Sequence, residues 1–246
     1  MAPHCGRLFK VGVKILKHTP WKIGVLMGLV GLSCGLSSGA WAGDTQTPTT
    51  LTSSVKAPET LSERALSRLK TWLAMYPEAK GTFTQRVMDR TGHEIQPRSE
   101  GTFRFMRPGK FEWAYTSPDV QRLISNGDVL WIYEPDLEQV IEKSVEGQLS
   151  GSPAAILFGD PHWDRFWSVT EPEAGLIVAS PKNKDLPYDT VKICFNAKNV
   201  PTELTLEDAF GQTTVVGFPT FEKAHFAAKD FDFTIPSGVE VLRDAH

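Results

Sequence analysis

A single, mainly β domain of antiparallel strands with one leading helix is predicted for residues 59–246, and three observations predict it. Apolar and polar residues alternate with period two in a series of short runs. Pro, Gly, Asn and Asp punctuate the gaps between those runs, and only one long segment carries helical spacing. Strands that follow one another without intervening helices belong to a β-rich layer, not to βαβ units. No internal repeat is visible.

The elements follow in order. Residues 1–42 read as a signal peptide: Arg7, Lys10, Lys14, Lys17 and Lys22 form a basic head without acidic residues, 23–36 is an apolar run, and Ala40-Trp41-Ala42 fits an A-x-A cleavage site. Export and a mature start at Gly43 are expected. The apolar run is shorter than the roughly 20 residues that span a bilayer. Gly31-Leu32-Ser33-Cys34 partly resembles a lipobox, with Gly31 where an aliphatic residue is usual, so acylation at Cys34 is the alternative. Residues 43–58 are rich in Thr, Ser and Pro and read as a flexible leader. From 59 to 76, Leu61, Ala65, Leu69, Trp72, Leu73 and Tyr76 recur on one helical face, and Pro77 stops the helix. Strands are predicted at 83–87, 103–107, 111–115, 121–125, 129–133, 175–180, 190–196, 202–208, 212–218 and 231–235. Between them, Ser152-Pro153 and Asp160-Pro161 start two short apolar helices, at 154–158 and 162–167. Those helices either cap the core or cover a cavity.

Charge and cysteine content narrow the function. The chain has 26 basic and 29 acidic residues; without the five basic residues of the signal, 21 face 29, a net charge of −8. Such a balance argues against nucleic acid and against permanent residence on an anionic membrane. Cys194 alone remains after cleavage, so no intrachain disulfide forms. No histidine spacing suits a metal; Asp160-x-His162-x-Asp164 comes nearest, with Asp160 better explained as a helix cap. The one G-x-S-x-G match, residues 35–39, lies in the signal peptide. No phosphate loop or dinucleotide fingerprint occurs, and neither cofactor, metal nor enzymatic turnover is expected.

The odd stretch is GTFRFMRPGKFEWAY, residues 101–115. Alternation puts Phe103, Phe105 and Arg107 on one strand face, continued after the Pro108-Gly109 corner by Phe111, Trp113 and Tyr115. An Arg on an aromatic face needs a partner or a ligand. From the pattern alone, Arg107 ends its strand and reaches water over the rim. A strongly curled, unclosed sheet would enclose an apolar cavity; an ordinary filled core is the simpler reading of the periodicity.

These segments, with FTQRVMDRTG (83–92), SNGDVLWIYEPDLEQV (125–140), SPAAILF (152–158) and DFTIPSGVEV (232–241), resemble the LolA family of periplasmic carriers. The likeness extends over about 59–241, in matching order and spacing. It implies an unclosed antiparallel barrel covered by helices and enclosing a hydrophobic cavity for acyl chains. By resemblance, Arg107 is the lid latch, bonding to backbone carbonyls of a lid formed by Pro153, Ala154, Ala155, Ile156, Leu157 and Phe158. Acyl chains are expected against Phe83, Phe103, Phe105, Phe111, Trp113, Leu123 and Trp131, with Phe111 near the rim. Ala154-Ala155 replace bulkier residues of some relatives. The expected partners are acylated lipoproteins, an inner-membrane release complex similar to LolCDE and an outer-membrane receptor similar to LolB, with the carrier a periplasmic monomer that binds no nucleic acid. A lipidated receptor, another lipid or glycolipid carrier, and a lipoprotein-sensing regulatory module of the same fold are the alternatives.

Overall fold

The computed structural model describes residues 59–145, 157, 163–183, 186 and 188–243. Helix α1 (Leu61–Met75) opens it. Thr60 caps the helix: its hydroxyl accepts from the Glu63 N–H at 3.1 Å, and the Glu63 carboxylate accepts from the Thr60 N–H at 2.8 Å. This reciprocal box satisfies donors that a helix start leaves without intrahelical partners. Ala65, Leu69 and Trp72 form the buried face, at the spacing the sequence predicts.

Among the described residues twelve strands follow, with a short α-helix between β6 and β7: β1 (Glu78–Met88), β2 (Ser99–Met106), β3 (Lys110–Ser117), β4 (Gln121–Asn126), β5 (Val129–Glu134), β6 (Gln139–Ser144), α2 (Trp163–Phe166), β7 (Trp167–Glu173), β8 (Leu176–Pro181), β9 (Tyr188–Phe195), β10 (Pro201–Asp208), β11 (Thr213–Lys223) and β12 (Glu240–Arg243). They make one sheet in the order β12-β6-β5-β4-β3-β2-β1-β11-β10-β9-β8-β7. The outermost strands β12 and β7 do not pair with each other, so the barrel is unclosed. Every pair is antiparallel except β12 with β6.

Strands β1 and β2 show why the aromatic face can be so dense. Gly81 stands opposite Phe103, and Phe83 opposite Gly101. A Cβ on Gly81 would come within 2.7 Å of the Phe103 ring, and one on Gly101 within 2.8 Å of the Phe83 ring. Each ring therefore lies over a glycine on the neighbouring strand, a close approach that a side chain would prevent.

Helix α1 is fastened to the far edge of this sheet. Ser62 Oγ donates to the Val169 carbonyl at 3.0 Å, and Arg68 Nε donates to Glu171 Oε1 at 2.8 Å. Glu171 also accepts from the Gly175 N–H at 2.8 Å. Burial alone would raise the Glu171 carboxyl; the Arg68 side chain and the Gly175 amide outweigh it and hold the group below its ordinary value.

Four differences from the sequence reading have physical causes. Residues 231–235 are not a strand: the chain makes a 3₁₀ turn at Ala228–Phe231 that packs on β3 and β4, with Phe231 fully buried. Arg104 anchors that turn, donating to the Asp230 carbonyl at 2.9 Å while paired with Glu112, which also pairs with Arg122. The last strand is β12, unpredicted. Both β6 and β7 were also unpredicted, and Trp167, expected at a helix end, begins β7. Strand β1 starts directly after α1, because the polar residues of its first half sit on the outer face while Ala79 and Phe83 fill the inner one.

Candidate functional site

Arg107 follows β2 and turns inward. Its own N–H donates to the Pro77 carbonyl at 2.9 Å, fixing the hairpin corner against the end of α1. The guanidinium then bridges two chain segments. Nη1 donates to the Tyr76 carbonyl, while Nε and Nη2 donate to the Leu157 carbonyl at 3.2 and 2.6 Å. Tyr76 is the C-cap of α1, where carbonyls lack intrahelical partners and carry the negative end of the helix dipole. A rigid fork suits two such acceptors. The same group lies over two rings, 4.3 Å from the Trp72 centroid and 4.4 Å from the Phe105 centroid.

Arg107 thus does not reach water over the rim. Burial pushes its pKa down to about 9, which leaves it charged near neutrality. Among the described residues no carboxylate pairs with it, so carbonyl dipoles and aromatic faces carry the compensation.

Below the latch, the expected ring residues converge. Phe83 stacks on Trp113 with centroids 4.0 Å apart; Phe103 meets Trp113 at 5.8 Å, Phe105 at 6.4 Å, Phe218 at 5.6 Å and Phe221 at 5.2 Å. Phe111 and Leu123 belong to the same buried cluster, as does Leu157. Phe111 is 1 % exposed and is not a rim residue. Trp131 is a correction: it faces outward. In β5 it is Leu130 and Ile132 that are buried, while Trp131 packs on Phe233, centroids 6.0 Å apart, and its indole donates to Glu142 at 3.3 Å. Of the expected lid, Leu157 is buried; Pro153, Ala154, Ala155, Ile156 and Phe158 lie outside the described residues, as do the signal peptide and the leader.

Among the described residues, these rings pack against one another in one buried cluster. A groove of about 340 Å³ lies instead on the outer face, between Lys80, Thr82, Arg104, Glu112, Thr220 and Phe226. No described cluster of His, Cys, Asp and Glu could hold a metal, and no described helix is long and apolar enough to cross a membrane.

Sequence reasoning assigned no site role to Tyr76, Trp72 or Trp167. Trp72 and Trp167 are buried with Nε1–H groups that reach no acceptor among the described residues, while the Trp113 indole lies against the Tyr115 hydroxyl. Each such orphan forfeits roughly 1–3 kcal/mol. Trp72 was visible as a core position of the helix, but nothing in the sequence tells whether an indole finds an acceptor.

Comparison with known proteins agrees with this architecture. Residues 75–234 match the family described as outer membrane lipoprotein carrier protein LolA. The outer-membrane lipoprotein carrier protein of Cupriavidus taiwanensis is 39 % identical over 186 residues, covering 73 % of this chain and 88 % of its own length. That of Bordetella avium is 40 % identical over 188 residues, covering 74 % of this chain and 89 % of its own. On the family match and on relatives aligned across most of its length, this chain belongs to the LolA family of outer membrane lipoprotein carrier proteins.

Proposed function

We propose that this protein is a soluble periplasmic carrier that shields the acyl chains of lipoproteins between the inner and outer membranes. The observation that carries the reading is the Arg107 bridge, which ties the end of α1 to Leu157 directly over an interior of aromatic rings. At about 0.8 kcal/mol per buried CH₂, leaving one long acyl chain in water costs on the order of 10 kcal/mol, so cargo cannot cross the periplasm unaided. A chain enters this interior when Leu157 lifts and the rings part. Breaking the bridge consumes part of the burial energy, which keeps affinity moderate and release feasible. The task is binding without turnover.

In this reading residues 1–42 direct export and are removed after Ala42, and the carrier works as a monomer. It loads from an ABC-type release complex similar to LolCDE and unloads to a receptor similar to LolB. The test is lipid and protein analysis of the chain purified gently from its native periplasm. Acylated lipoproteins bound in roughly equimolar amount are expected; a carrier isolated only with free phospholipid or glycolipid would overturn the cargo assignment.

A further inference from the structure

An acyl chain does not arrive as pure hydrocarbon. Each is joined to its cargo through an ester or amide carbonyl, and a carbonyl drawn into an apolar interior needs a donor. The buried polar side chains of this interior are mostly committed: Gln85 accepts from Tyr115, Gln121 donates to Glu134, Ser125 donates to the Gly109 carbonyl, and Glu171 holds Arg68. The indoles are different. Trp72 and Trp167 are 0 and 1 % exposed, and their N–H groups meet no acceptor among the described residues. The Trp113 indole lies against the Tyr115 hydroxyl, an acceptor of its own.

The position of the two orphans matters. Trp72 lies under the Arg107 guanidinium, which holds Leu157. Trp167 begins β7, directly behind α2. Both indoles belong to the buried core that also includes Leu157. We infer that the Trp72 and Trp167 indole N–H groups are docking donors for the ester or amide carbonyls at the head of the cargo's acyl chains. The inference rests on the carrier reading and adds to it: the interior recognises the acyl linkage as well as the hydrocarbon. Donors left empty in the closed state are satisfied only when cargo is present, so the differential contact favours the loaded form.

A matched pair of ligands tests this: a dipalmitoyl-glyceryl cysteine peptide and its dihexadecyl ether analogue, which has the same chains without the carbonyl oxygens. Binding is followed by displacement of an environment-sensitive dye, and the indole N–H resonances of the wild-type protein are followed by NMR. The ester ligand is expected to shift the Trp72 and Trp167 indole protons downfield, and the ether ligand to leave them in place. Trp72→Phe and Trp167→Phe should each weaken ester binding about three- to tenfold while ether binding changes less than about twofold. Equal losses for both ligands, or indole resonances unmoved by bound ester, would overturn the inference while leaving the carrier reading intact. A wild-type protein that binds neither ligand would overturn both. If a variant fails to fold, the wild-type resonances alone decide.

Discussion

The Arg107 guanidinium lies over the Trp72 ring, 4.3 Å from its centroid, and so couples the turn after β2 to the buried face of α1. Because the same group donates to Tyr76 and Leu157, it holds the helix, the hairpin corner and Leu157 together at this point.

Replacing Arg107 by Leu should leave uptake of lipoprotein intact and slow its handover by about tenfold or more, since the closed state then loses charge-assisted bonds worth roughly 1.5–3 kcal/mol. Arg107→Lys should fall between, because an ammonium cannot reproduce the planar fork. Uptake from spheroplasts and transfer to outer membranes, assayed separately, check this. Normal delivery by the Leu variant would remove Arg107 as a latch.

Phe111→Glu should act on folding. With Phe111 1 % exposed, its replacement by a carboxylate buries an unpaired charge and should cost about 4 kcal/mol or more. Denaturant unfolding measures it. A stable variant that merely loads poorly would return Phe111 to the rim.

Gly101→Ala should destabilise by about 1–3 kcal/mol through overpacking, because the added methyl meets both the Phe83 ring and the Ala114 carbonyl. Pairing it with Phe83→Leu should recover part of the loss, which thermal unfolding of the double variant would reveal.

Glu171 gives the fold a defined response to acid. Its folded pKa lies below the ordinary 4.5, so its contribution is present above pH 4.5 and is lost as pH falls through the folded value. Glu171→Gln should lower stability at pH 7 by roughly 2 kcal/mol and flatten the dependence below pH 4.5. Melting temperatures measured from pH 3 to 7 check the sign.

The inner face of β1 to β3 was legible because Phe83, Phe103, Phe105, Phe111 and Trp113 alternate with polar neighbours, and one residue of slippage would turn every ring outward. Trp131 was misplaced because β5 reads VLWIYE, apolar on both faces; Phe233, about a hundred residues later, settles which face goes where. The alternation in DFDFT imitated a strand, yet the outer surface of β4 takes Phe231 by packing and leaves the ladder unused. The destination of Arg107 was unreadable from its surroundings, since its acceptors lie 31 and 50 residues away in sequence. Resemblance to the family pointed to carbonyls of residues 152–158, and nothing pointed to Tyr76.

An open roll leaves two raw borders that could recruit any extended chain passing by. One border, β7, contains Pro172, which has no amide hydrogen to offer a newcomer. The other is finished by β12, four residues long, with Glu240 and Arg243 at its ends. A protein whose trade is handling sticky molecules thus meets its own kind with one edge interrupted by proline and the other short and charged, features that discourage edge-to-edge pairing.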